Sequence, residues 1–177
     1  TGKELFAQGI HLASARRDAE QTLRVLAVQY HNEWKKTRDE PVAGYAAAVY
    51  RDYLDVFPDE PPAYELRFFH AELRYALADL EGAAAEYERV ALPDIAAIEA
   101  KPQPRKPGKF RKDALQNACF AWDRVAKKLD EDEKRGQVDP KKRLPLAPQR
   151  KKLVEACERY LRYQPKGEKW VEIAYKV

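Results

Sequence analysis

Methionine is absent from this 177-residue chain, and only two cysteines, three histidines and seven glycines are present. These shortages exclude several chemistries. There is no Gly-rich phosphate loop, no Gly-x-Ser-x-Gly elbow and no HExxH pair. No apolar run approaches the ~18 residues that a bilayer span needs. His11, His31 and His70 fall on three different predicted helices, and none has a His, Cys or Asp at helical spacing to complete a metal site. They read as surface or groove residues, with a site assembled between helices left open. Acidic pairs such as Glu60/Glu65 and Asp79/Glu81 read as helix caps and solvated faces. With no nucleophile, base or cofactor constellation, the chain is expected to be non-catalytic, with no cofactor, no metal and no small-molecule substrate. The opening Thr1-Gly2 and the unfinished pattern at 169–177 lead us to expect a piece of a longer protein.

What the chain does contain is helix-forming sequence cut by proline. Apolar residues make up 45% and charged residues 35%, enough for a core beneath a polar surface. The twelve prolines are expected between helices, where a missing N–H does no harm. The Pro-free run 1–40 is read as helices over about 3–15 and 18–37, with one continuous helix as the alternative. Run 42–57 is one helix with Tyr45, Val49, Tyr50, Tyr53, Leu54 and Phe57 on its apolar face. Run 63–92 is an αα-hairpin turning near Asp79 to Gly82, with Ala78 in the position that usually takes glycine. Helices near 110–130 and 149–163 pair next, and 167–177 starts another. Cys119 and Cys157 lie on that pair. They read as small buried thiols, with a disulfide open if the protein is exported.

Two connectors are basic. Lys101, Arg105, Lys106, Lys109, Arg111 and Lys112 place six cations and no anion in one Pro-rich stretch. The net charge is +4, so the remainder carries −2. The second connector, 131–149, begins acidic and turns basic at Lys141-Lys142-Arg143. Nucleic-acid binding would call for stacking aromatics among the cations, and only Phe110 accompanies the first cluster. No nucleic-acid partner is expected. Solvated connectors of irregular, mobile backbone are the expectation, with contact to anionic lipid or an acidic partner the better functional alternative.

The strongest pattern is repetitive. Ala46, Tyr50, Tyr53 and Pro58 recur in part as Ala83, Tyr87 and Val90, and again as Ala156, Tyr160 and Tyr163. A small residue lets two helices approach, and a large ring one turn later fills the space beyond. The segment 63–90, with Ala71, Ala78, Ala83 and Tyr87 at the signature positions, resembles a tetratricopeptide repeat. Segment 46–58 resembles the second helix and closing proline of another. The resemblance implies an all-α array of antiparallel hairpins, an α-solenoid of one domain over 1–177. Its units would be about 18–58, 63–93 and 110–165, with a further helix starting at 167–177. Arg74 departs from the usual aromatic, and the connectors stretch the period from 37 residues (Ala46 to Ala83) to 73 (Ala83 to Ala156).

The Tyr-x-x-Tyr/Val closings and Phe-Pro ends are similar to those of Gram-negative envelope repeat proteins, including outer-membrane assembly lipoproteins, coordinators of cell division and the machinery of gliding motility. That resemblance implies a periplasmic or outer-membrane-associated protein-interaction scaffold, with peripheral membrane contact through flanking regions. A regulatory repeat domain of a cytoplasmic enzyme or signalling protein is the other reading. On the middle repeat, Glu65, Phe68, Glu72 and Tyr75 should line the peptide groove. Phe68 and Glu72 stand where the family's clamp for a terminal carboxylate would need Lys and Asn. A basic and apolar peptide fits that stripe better, while packing of Phe68 and Tyr75 on neighbouring helices is the competing reading.

Overall fold

The computed structural model describes residues 2–101, 106–135 and 147–176. All regular structure among them is helical. The order is α1 (Gly2–Thr37), α2 (Glu40–Val56), α3 (Pro61–Ala76), α4 (Leu80–Glu99), α5 (Arg111–Arg135), α6 (Pro148–Tyr163) and α7 (Trp170–Ala174). The chain forms two compact units, Thr1–Leu73 and Arg74–Val177, with the division falling inside α3.

In the first unit α1, α2 and the start of α3 share a core of Ala27, Trp34, Ala43, Ala46, Tyr50, Tyr53, Leu54, Phe57, Ala63 and Leu66. Of the α1 residues that reach it, Leu23, Ala27 and Trp34 are four and seven apart on one helical face, with Val28 and Tyr30 packing beside them. The expected break near Ser14 to Asp18 does not exist, and α1 runs unbroken for 36 residues. No proline or glycine stands between Ser14 and Asp18 to interrupt it. Residues 9–13 and 15–19 of α1 are exposed, although the Arg16 guanidinium lies 4.9 Å from the Phe57 ring centroid. The turn into α2 uses Arg38 at φ 58, an uncommon conformation for a residue with a side chain. Its amide donates to the Trp34 carbonyl at 2.8 Å, and its guanidinium lies 4.9 Å from the Trp34 ring centroid. Tyr45, expected on the apolar face of α2, is 59% exposed.

In the second unit α4, α5 and α6 pack in sequence, and α7 closes on α6. Ala83, Tyr87 and Val90 of α4 are buried, as are Ala156 and Tyr160 of α6. The small–aromatic stripes therefore face the core in both units. Ala78 takes φ 61 in the turn before α4, which fulfils the glycine-like role expected of it. It is exposed there, whereas Ala71 and Ala83 are fully buried. The Asp79 carboxylate caps α4 by accepting from the Gly82 amide at 3.2 Å.

Proline placement is only partly as expected. Pro41 and Pro148 occupy first helical turns, and α3 begins at Pro61, where the missing donor is harmless. Pro93, however, lies inside α4, which continues to Glu99. Val90 and Ala91 before it and Ile95 beyond it are all buried, and that packing holds the helix through the proline. Arg111 and Lys112 also belong to α5 and not to a connector. Arg105 and the basic run 141–143 lie outside the described residues, as does most of the second connector expected to be irregular.

Candidate functional site

The α3 stripe is less open than a groove requires. Phe68 is only 8% exposed, and its ring meets Phe69 edge-on at 6.3 Å. Glu65 and Glu72 are half-buried in the first unit. Tyr75 falls in the second unit, where the Arg124 guanidinium covers its ring at 5.0 Å. Of the basic cluster, Lys101, Lys106, Lys109 and Lys112 are exposed. Lys109 sits 4.6 Å from the Phe110 ring centroid, and Arg111 reaches the Tyr163 carbonyl at 3.4 Å.

Two of the histidines are core residues. His31 and His70 are 3% and 6% exposed. His31 Nδ1 and the Tyr50 hydroxyl are 2.9 Å apart, and the Tyr50 ring stacks on His70 at 5.7 Å. Burial first, then the nearby Lys35 charge, lowers the His31 pKa to about 4. The neutral imidazole therefore belongs to the packed state. Burial likewise pushes the Tyr50 phenol up. Among the described residues, no group of three or more His, Cys, Asp or Glu could hold a metal ion.

The second unit carries the more distinctive chemistry. Cys119 of α5 and Cys157 of α6 form a disulfide with a Cα–Cα distance of 5.0 Å, and both residues are fully buried. The reading as free thiols is corrected here. The two helices run antiparallel and present these cysteines to each other at bonding separation. Past the bridge, Arg150 at the start of α6 pairs with Asp130 at 2.5 Å and Glu133 at 2.7 Å. Neither charge favours its own helix dipole. The acidic end of α5 and the basic start of α6 compensate by meeting each other. In the middle of α5, Asp123 accepts from Lys127 at 2.8 Å and from Lys176 at 2.9 Å. Burial opposes the Asp123 charge, but these two ammonium groups hold its carboxyl below the usual range.

A cleft of about 340 Å³ opens between α4 and α6. Its apolar lining is Leu92 and Ile95 of α4. Leu92 is 43% exposed. From α6 come Glu155, Glu158, Arg159, Arg162 and Tyr163. Ion pairs tie its two ends. Arg159 donates to Glu88 at 3.1 Å, Arg162 lies 3.7 Å from Glu99, and the Tyr163 hydroxyl donates to Glu99. On α4 these anchors are eleven residues apart, about 16 Å of helix; on α6 they are four apart, about 6 Å. On the stretch of α4 between the anchors, Val90, Ala91 and Ile95 are buried while Leu92, Pro93 and Ala96 are exposed.

Sequence reading placed none of these cleft residues in a site. Their pairing across 71 and 64 positions has no local signature. Comparison of the chain with protein-family models, with curated proteins and with solved structures gives no match. No helix among the described residues is long and apolar enough to cross a membrane.

Proposed function

We propose that the chain is a non-catalytic protein-interaction scaffold of a bacterial cell-envelope assembly, built on tetratricopeptide-like helical hairpins. The class includes outer-membrane assembly and gliding-motility scaffolds. The observation that carries the location is the buried Cys119–Cys157 bridge. Disulfides persist in oxidising compartments such as the bacterial periplasm and are rare in the cytosol. The bridge favours the envelope over a regulatory domain in the cytoplasm. The small–aromatic stripes buried in α2, α4 and α6 support the hairpin reading. Conserving chemistry is not required of such a scaffold; what it needs is an exposed surface on rigid helices, and the second unit offers one beside a covalently joined helix pair.

The test is chemical cross-linking in intact cells that produce the protein, followed by denaturing capture and mass spectrometry. The reading expects reproducible adducts with one or a few envelope proteins. Recovery of the chain with cytosolic partners alone would refute it.

A further inference from the structure

The α4–α6 cleft combines an apolar floor with an excess of negative charge. Its two guanidinium groups are already engaged, Arg159 by Glu88 and Arg162 by Glu99. Glu155 and Glu158 stand three residues apart on the exposed side of α6, where they line the same opening. Including the ion-pair partners, four carboxylates face two guanidiniums. Lys151 and Lys152, one turn before Glu155, are exposed, and the Lys152 ammonium lies over the Trp122 ring at 4.6 Å. Leu92 supplies apolar surface that the chain itself does not cover. With both guanidiniums held in ion pairs, the other charges of the lining, Glu155 and Glu158, are negative beside exposed apolar surface, which is the pattern of a recognition surface. It selects against acidic segments and for those bearing Lys or Arg beside aliphatic side chains. Pro93 adds a backbone feature. It has no N–H to donate to the Arg89 carbonyl four residues back, so the ladder of α4 is interrupted at the level of Leu92.

We infer that this cleft docks a short basic and apolar peptide segment of a partner protein, its aliphatic side chain on Leu92 and Ile95 and its cations toward Glu155 and Glu158. The inference rests on the scaffold reading and names the kind of partner. It moves the binding surface from the α3 stripe, where Phe68 is buried, to the opening between α4 and α6. Rim charge steers the encounter and weakens with salt, whereas the leucine contact holds the bound segment.

The experiment uses the oxidised full chain and three labelled synthetic octapeptides: alternating Leu and Lys, alternating Ser and Lys, and alternating Leu and Glu. Anisotropy is read at about 50 and about 300 mM salt, a range over which screening of exposed charges changes strongly. The Leu–Lys peptide should bind, weaken severalfold at the higher salt, and outcompete the Ser–Lys peptide, while the Leu–Glu peptide should not bind. Glu155→Lys/Glu158→Lys should weaken the Leu–Lys peptide by about tenfold or more, equivalent to about 1.4 kcal/mol. Leu92→Ser should do the same with the salt dependence kept. Both variants alter exposed side chains, and their melting curves are recorded alongside. Equal binding of the Leu–Lys and Leu–Glu peptides, no binding of the Leu–Lys peptide, or wild-type affinity in either variant overturns the inference. If the cleft fails in this way while cellular cross-linking still recovers envelope proteins, the docking site is wrong and the scaffold reading stands. If cross-linking fails, the scaffold reading falls whatever the peptides do.

Discussion

The Arg74 guanidinium occupies the space that a side chain on Gly82 would need: a Cβ there would meet Arg74 Nη2 at 1.9 Å. From that position Arg74 donates to Asp79 at 2.7 Å and lies 3.8 Å from Glu86, which is 4% exposed. Arg89 meets the same Glu86 oxygen at 2.6 Å. Arg74 is thus one of two counter-charges, with Arg89, of the buried Glu86. Gly82→Ala must displace Arg74. Only the far end of a flexible side chain has to shift, and Glu86 keeps Arg89, so this loss and alanine's better helix propensity should leave stability within about 1 kcal/mol of the parent. Chemical denaturation checks it; a loss well beyond that would show that Arg74 cannot move aside.

The disulfide joins residues 38 apart and closes the long connector between α5 and α6. Chain-entropy reasoning assigns such a loop about 4 kcal/mol. Cys119→Ala/Cys157→Ala should lose a comparable amount in denaturant titration, and reductant should then have no further effect. Unchanged stability would mean that packing alone holds α5 on α6.

Acid should weaken the first unit. The His31 pKa is depressed from its ordinary 6.5 to about 4 by burial, so the unfolded chain takes up this proton first as pH falls. The neutral imidazole's contribution is complete above pH 6.5 and is lost as pH drops toward 4. Its size is about 1–3 kcal/mol. His31→Gln should flatten the slope of stability against pH across this window. A slope identical to that of the parent protein would assign the acid response elsewhere.

Phe68→Ala separates packing from recognition on α3. Because Phe68 is 8% exposed, truncation should lower stability by about 3 kcal/mol or more. Glu72→Lys changes a half-buried side chain one turn away. A Phe68→Ala protein that melts like wild type but loses partner adducts would restore the α3 groove as the binding surface.

The legible part of the fold was the part written at helical spacing. Ala46/Tyr50/Tyr53 and Ala83/Tyr87/Val90 announce which faces are buried, and Ala78 before Asp79 announces a turn. Continuous α1 was not legible, because exposed residues 9–19 carry no apolar period to distinguish one helix from two. Pro93 was misread because the local penalty of proline is overridden by burial on both sides of it. The cleft escaped because it depends on where two helices distant in sequence come together, and spacing along one helix carries no such information. The disulfide was half legible: Cys119 and Cys157 fall on a predicted helix pair, but spacing does not say whether the two thiols meet. A signal was present for Arg150, since opposite charges at the end of α5 and the start of α6 are compatible only if those ends meet.

The central claim, a disulfide-bridged scaffold working in the cell envelope, is tested most directly by the thiol state of the chain in its own cells. Rapid acid quenching, alkylation under denaturing conditions and mass spectrometry of separated envelope and cytoplasmic fractions would read location and bridge together. The account predicts the chain in the envelope fraction with Cys119 and Cys157 unalkylated until reductant is added. A chain found in the cytoplasm with both thiols alkylated at once would contradict it.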